Sequence, residues 1–218
     1  DWDNSYYRDF SRRKLYEALE TLDKYQRSIS IQNLTDILAT ELFHPDMLGI
    51  LSKLEAIAKS DFGKYLKQNE TTKTLKAIRE EKACLYIGLS TQGYGETALG
   101  LGKIFLGELL YLSYFTLGPG RGDGHTPISI FFDEFGGLVT PNFIELLNKC
   151  RSAQMELTLA VQSPSDIDRT NSDLTKQIVE NCANIFIFKQ RLDSGASFFS
   201  EALGTIPSIK ETVVTENG

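Results

Sequence analysis

Apolar residues in the first part of the chain recur at helical spacing. Leu15, Leu19 and Leu22 share one face of residues 14–25, and Met47, Ile50, Leu51, Leu54, Ile57 and Ala58 form a stripe along residues 47–59. Ser28, Ser30 and Thr35 supply cap-type residues between these stretches, and Pro45 with Asp46 opens the second. The pattern predicts an all-helical block over residues 1–82. Its aromatic residues, Tyr6, Tyr7, Phe10, Phe43, Phe62 and Tyr65, are expected to pack in the core and dock the helices.

After Ala83 the period changes. Short apolar runs at residues 84–90, 128–133, 156–162 and 184–190 read as strands, and they show little clean alternation, as parallel strands covered on both faces do. Helical patterns at roughly 96–116, 141–152, 164–182 and 194–203 fall between and after them. The order βαβαβαβα predicts an α/β domain over residues 83–218, a parallel sheet with helices on both faces and right-handed crossovers. Residues 118–125, GPGRGDGH, form a Gly-rich surface loop between helix and strand.

Composition sharpens the division. The chain carries 23 basic and 29 acidic residues in 218, a formal charge of −6. Residues 1–82 balance at 14 of each, so the whole acidic excess lies in the second part. A 41% hydrophobic composition supports a folded core, and no apolar run reaches the ~18 residues of a membrane span, which predicts a soluble chain. The N-terminus shows no secretory signal and no initiator Met, so the chain is expected to be part of something longer. Cys84, Cys150 and Cys182 form no CxxC and read as free thiols, expected to pack, in a reducing compartment. Asn33-Leu34-Thr35 and Asn69-Glu70-Thr71 are read as chance glycosylation triplets. His44 and His125 stand singly, and no metal site is assigned to them.

In an open parallel sheet, function gathers at the carboxyl ends of the strands. The run Ile128-Ser129-Ile130-Phe131-Phe132 leads directly into Asp133-Glu134, the layout of a Walker B element. There the first acid holds the Mg²⁺ of a bound nucleotide and the second orients the attacking water. An ordinary strand exit carries the same residues. The run 157–162 ends in Gln162, an amide able to sense a γ-phosphate or to help place the water, and equally able to be a satisfied polar residue. Arg151, beside Lys149 at the end of a helix, could reach a neighbouring subunit's nucleotide as an arginine finger or simply complement the helix dipole. No G-x-x-x-x-G-K-[S/T] loop occurs in the sequence. The nearest imitation, residues 97–104, TALGLGKI, lies in a helical pattern where Gly100 and Gly102 permit close helix packing.

Together these segments resemble the ATPase region of the type IV coupling proteins, specifically the TraD-like proteins of conjugative elements. The resemblance runs in order through residues 84–90 (CLYIGLS), 130–135 (IFFDEF), 148–154 (NKCRSAQ), 159–167 (LAVQSPSDI) and 185–204 (IFIFKQRLDSGASFFSEALG). It implies a RecA-like fold whose sheet resumes after an inserted all-helical domain. It assigns Asp133 to Mg²⁺, Glu134 as catalytic carboxylate, Gln162 as γ-phosphate sensor and Arg151 as a finger acting in trans, with Lys149 or Arg121 as alternatives. It also implies ATP and Mg as cofactors and a homo-hexamer at the cytoplasmic face of the bacterial inner membrane. The partners implied are DNA, relaxase or relaxosome proteins and the type IV secretion channel.

On this reading the chain begins after the P-loop segment and neither binds ATP tightly nor hydrolyses it alone. The alternatives are a cargo-recognition module centred on residues 1–82 and a fragment of an FtsK- or HerA-like DNA pump. A −6 chain has no overall attraction for DNA, so DNA contact would have to come from local features such as Arg121 in the 118–125 loop.

Overall fold

A computed structural model describes residues 5–66, 73–117, 126–168, 174–189 and 193–204. The described chain is mostly helical with one two-stranded parallel sheet, and its contacts cluster into two compact units. Residues 1–129 and 140–156 form the first unit, and residues 130–139 and 157–218 the second.

In the first unit, α1 (Ser5–Lys24), α2 (Ile31–Ala39) and α3 (Leu48–Lys59) close around one apolar cluster. Ala18, Leu22, Ile37, Leu38, Met47 and Leu51 form its buried centre, and Phe10, Leu15, Leu34, Leu42, Ile50 and Leu54 pack around them. The helical stripes read from the sequence supply Leu15, Leu22, Met47, Ile50, Leu51 and Leu54, and the remaining members, from α1, α2 and the turn after it, complete the cluster. Capping fixes where the helices begin: Ser30 Oγ accepts from Asn33 N, and a 3₁₀ turn over Pro45–Met47 leads into α3 with His44 Nδ1 accepting from Asp46 N. Several aromatic residues expected in the core lie outside it, with Tyr6, Phe43 and Tyr65 among the exposed large side chains. Tyr6 stacks on Phe10 and donates its hydroxyl to Asp46, so a phenol at the rim satisfies its polar end without burial.

The long helix α5 (Thr91–Leu117) packs against α3, against α4 (Leu75–Glu80) and against α6 (Pro141–Cys150). Gly95, at φ 45° and ψ −121°, breaks its regular helical conformation near the start. Contrary to the sequence expectation, α5 is long and apolar enough to cross a membrane by length and composition. Part of its apolar surface packs, with Ala98, Leu101, Leu106, Leu109, Leu110 and Leu112 buried in the first unit, while Ile104, Tyr111 and Leu117 stay exposed. The TALGLGKI segment lies within this helix, as its pattern predicts, and is no phosphate loop.

The first unit also holds a buried cation. Arg79, near the end of α4, is 6% exposed. Its Nε donates to Thr126 O at 2.6 Å, Nη1 to Thr116 Oγ1 at 2.8 Å and Nη2 to Ala153 O at 3.0 Å. The guanidinium thus ties α4 and the end of α5 to the chain just before each strand. All three acceptors are neutral, and burial pulls the pKa of Arg79 down from its usual value.

The two strands are β1 (Ile128–Phe132) and β2 (Met155–Leu159). Ile128 N donates to Gln154 O at 3.0 Å and Ala160 N to Phe132 O at 2.9 Å, which sets a parallel register. Two other predicted strands are not formed. Residues 84–90 and the described part of 184–190 are irregular, and they are well exposed, with Tyr86 at 89%, Phe186 at 85% and Phe188 at 84%. An apolar run records a demand for cover, whereas a strand exists only where a neighbour takes up its backbone N–H and C=O groups. Among the described residues only β1 and β2 pair. Helices on both faces were expected as well, yet Phe131 in β1 is 75% exposed.

In the second unit, the single helix expected over 164–182 is interrupted. It divides into α7 (Pro164–Ile167) and α8 (Leu174–Asn181), with Thr175 N donating to Asp168 Oδ1 and Thr175 Oγ1 to Pro164 O, both at 3.0 Å. These bonds turn the chain back on α7. Helix α9 (Asp193–Leu203) follows. Cys84 is exposed, which corrects the expectation that all three thiols pack.

Candidate functional site

At the exit of β1 the backbone leaves the sheet abruptly. Glu134 adopts φ 51° and ψ 38°, a left-handed conformation that costs an L-residue about 1 kcal/mol where glycine would be unstrained. Three contacts hold it there. Glu134 N donates to Asp133 Oδ1 at 3.0 Å, Phe135 N donates to Ala160 O at 3.3 Å, and the Phe135 side chain is fully buried. The next residue locks the loop further. A Cβ on Gly136 would lie 2.9 Å from Asp166 O, so only glycine lets the loop seat against α7.

This path brings the exits of β1 and β2 together. Gln162 Nε2 donates to Glu134 Oε1 at 3.2 Å across 28 residues of sequence. Asp133, Glu134 and Gln162 are all exposed. Ser163 then caps α7, its Oγ accepting from Ser165 N and pairing with Ser165 Oγ at 2.8 Å. The acid pair and the amide singled out from the sequence therefore form one polar cluster at the carboxyl ends of the two strands, inside the second unit.

The cations are placed differently. Arg151 lies in the first unit as the exposed residue closing α6, and its carbonyl accepts from Gln154 N at 3.1 Å. Lys149 sits with its ammonium 4.8 Å from the centre of the Tyr114 ring, and Tyr114 donates its hydroxyl to Glu145. That bond holds the phenol pKa above its usual value, because the ionised form would face a carboxylate. Lys149 is thus engaged in a surface contact on α6 and α5. Arg121 and the 118–125 loop lie outside the described residues.

As for a metal, no group of three or more His, Cys, Asp or Glu side chains gathers among the described residues. The site therefore cannot cage a bare ion. The residues present, two exposed carboxylates at Asp133 and Glu134, fit an Mg²⁺ that takes one ligand from the protein and the rest from water and phosphate oxygens. Sequence reasoning found the three polar residues but missed the left-handed turn and the close seating of Gly136. The Gly136-Gly137 pair after the acids was the available signal.

Residues 127–218 match the family model described as the TraM recognition site of TraD and TraG. The match spans 92 of the 218 residues and includes β1, β2 and the Asp133, Glu134 and Gln162 cluster. No curated protein and no solved structure matches the chain.

Proposed function

We propose that the chain is part of a TraD-like type IV coupling protein, the family whose TraM recognition segment residues 127–218 match, and that the β1 and β2 exits are the water-activating edge of its ATP-driven DNA-transfer motor. The observation that carries the reading is the Glu134 and Gln162 hydrogen bond, which unites two strand ends inside the matched segment. Such a motor is RecA-like, works as a hexamer at the cytoplasmic face of the inner membrane and feeds relaxase-bound DNA to a secretion channel. Its phosphate-binding loop is not encoded in these 218 residues, so turnover requires an assembly that supplies one.

The chemistry follows from the side chains. Glu134 orients a water and accepts its proton as the water oxygen bonds to the γ-phosphorus and the bond to the bridging oxygen breaks, releasing ADP. A bound Mg²⁺ supplies charge neutralisation on the phosphates. Asp133 would hold that ion through its carboxylate. Arg151, exposed at the end of α6, is the candidate for reaching a neighbouring subunit's nucleotide. With Asp133→Asn in the ATP-competent coupling protein, half-maximal turnover should need about tenfold more Mg²⁺, read from Mg²⁺ titrations at saturating ATP. An unchanged Mg²⁺ requirement would remove Asp133 from this role.

A second role rests on the description of the matched family. We propose that residues 127–218 also recognise a TraM-like relaxosome protein. The helical half, expected from the resemblance to recognise the relaxase–DNA complex, lies outside the matched segment. Calorimetry with a purified relaxosome protein should give a Kd of about 1–10 µM for this chain. Absence of binding at about 100 µM would contradict it.

A further inference from the structure

We propose that Gln162 is the positioning residue for Glu134, acting on the reaction through that carboxylate and not through its own contact with phosphate. The inference rests on the reading of Glu134 as the water-activating group, and it gives Gln162 a different task from the γ-phosphate sensor implied by the resemblance.

The geometry points this way for three reasons. First, the Gln162 amide donates to Glu134 Oε1 at 3.2 Å. A carboxylate has two oxygens, and fixing Oε1 on a neutral donor leaves Oε2 to accept from a water while confining the side chain to one orientation. A cationic donor would neutralise the base, whereas an amide holds it without competing for its proton.

Second, the backbone is arranged to bring Glu134 to Gln162. The left-handed turn at Glu134 redirects the chain at the end of β1, Asp133 Oδ1 holds the Glu134 N–H at 3.0 Å, and Phe135 N is anchored on Ala160 O, two residues before Gln162. Gly136, with Asp166 O 2.9 Å from where a Cβ would stand, keeps that loop against α7. The two exits are therefore tied at the backbone on both sides of the side-chain bond. Third, β1 and β2 are hydrogen-bonded neighbours, with Ala160 N on Phe132 O at 2.9 Å, so the distance between positions 134 and 162 is set by the sheet. An amide side chain of this length spans that distance. Asparagine is one methylene short of it.

Two measurements test the proposal. In this chain, without nucleotide, the side-chain amide resonances of Gln162 should shift in Glu134→Ala while the backbone spectrum away from the site stays unchanged. Unmoved Gln162 resonances would show that the bond does not exist and would overturn the proposal, leaving the role of Glu134 intact.

In the ATP-competent coupling protein, Gln162→Ala should lower kcat about 10- to 100-fold with KM for ATP within about twofold of wild type. Gln162→Asn should behave like Gln162→Ala, because it cannot reach. A double-mutant cycle then separates the two tasks: in a Glu134→Ala background, Gln162→Ala should cost less than twofold more in single-turnover rate. Additive losses, or a rise in KM that accounts for the defect, would assign Gln162 to the phosphate and overturn the proposal. If Glu134→Ala itself leaves turnover unchanged, the functional reading of Glu134 fails, and the resonance shift still decides whether Gln162 holds it.

Discussion

Replacing Arg79 with Ala should destabilise the chain by about 3 kcal/mol, the loss expected when two buried acceptors and one part-buried acceptor are each left short of a donor. Arg79 places its three nitrogens on Thr126 O, Thr116 Oγ1 and Ala153 O in a site only 6% exposed. Neither backbone carbonyl can be removed by mutation, so no apolar side chain restores the balance. Thr116 Oγ1 also donates to Leu112 O at 2.8 Å, which links the guanidinium to the last turns of α5. For a chain of this size the loss corresponds to a fall of roughly 6–12 °C in Tm. Arg79→Met tests the cause, since it keeps most of the volume and removes every donor. It should lose nearly as much as Arg79→Ala. Arg79→Lys, with one nitrogen in place of a planar fork, should recover only a minority of the stability. A melting temperature for Arg79→Met within 2 °C of wild type would show that packing, not hydrogen bonding, is what Arg79 supplies.

Nothing in the sequence distinguished this arginine. It stands in the charged run Lys76-Ala77-Ile78-Arg79-Glu80-Glu81-Lys82, which reads as a solvated helix face, and its acceptors lie 37, 47 and 74 residues away. Backbone carbonyls leave no mark in a sequence. The helical stripes around Leu22 and Leu51, the cap at Ser30 and the two apolar runs that became β1 and β2 were legible because each depends on local spacing or on one residue type at one place. The strand pattern overreached at Tyr86 and Phe186 for the complementary reason. Apolar spacing encodes which residues seek cover, but pairing is decided by a partner elsewhere.

The candidate site shows the same division. Asp133, Glu134 and Gln162 were visible as polar residues ending apolar runs, but their meeting was not, since it depends on β1 and β2 pairing and on the turn after β1. The left-handed turn at Glu134 was not visible, since glutamate rarely adopts it and a hydrogen-bonded loop imposes it.

Glu134→Gln carries the second large expected effect. The change is close to isosteric: an amide oxygen at Oε1 still accepts from Gln162 Nε2, and Glu134 is exposed, so the fold should be kept. What is lost is the negative charge and the proton acceptor. Loss of a general base lowers turnover by about 10²–10⁴-fold, while contacts to the nucleotide that do not pass through this carboxylate persist. The prediction is thus a kcat effect with ATP binding retained, a pattern distinct from unfolding or from loss of the nucleotide site.

That pair of readings on one variant addresses the central claim most directly. In an ATP-competent assembly containing these residues, Glu134→Gln should bind MgATP with wild-type affinity and hydrolyse it at least 100-fold more slowly. Turnover within about threefold of wild type, at unchanged affinity, would contradict the account and leave Glu134 as an ordinary strand-exit residue.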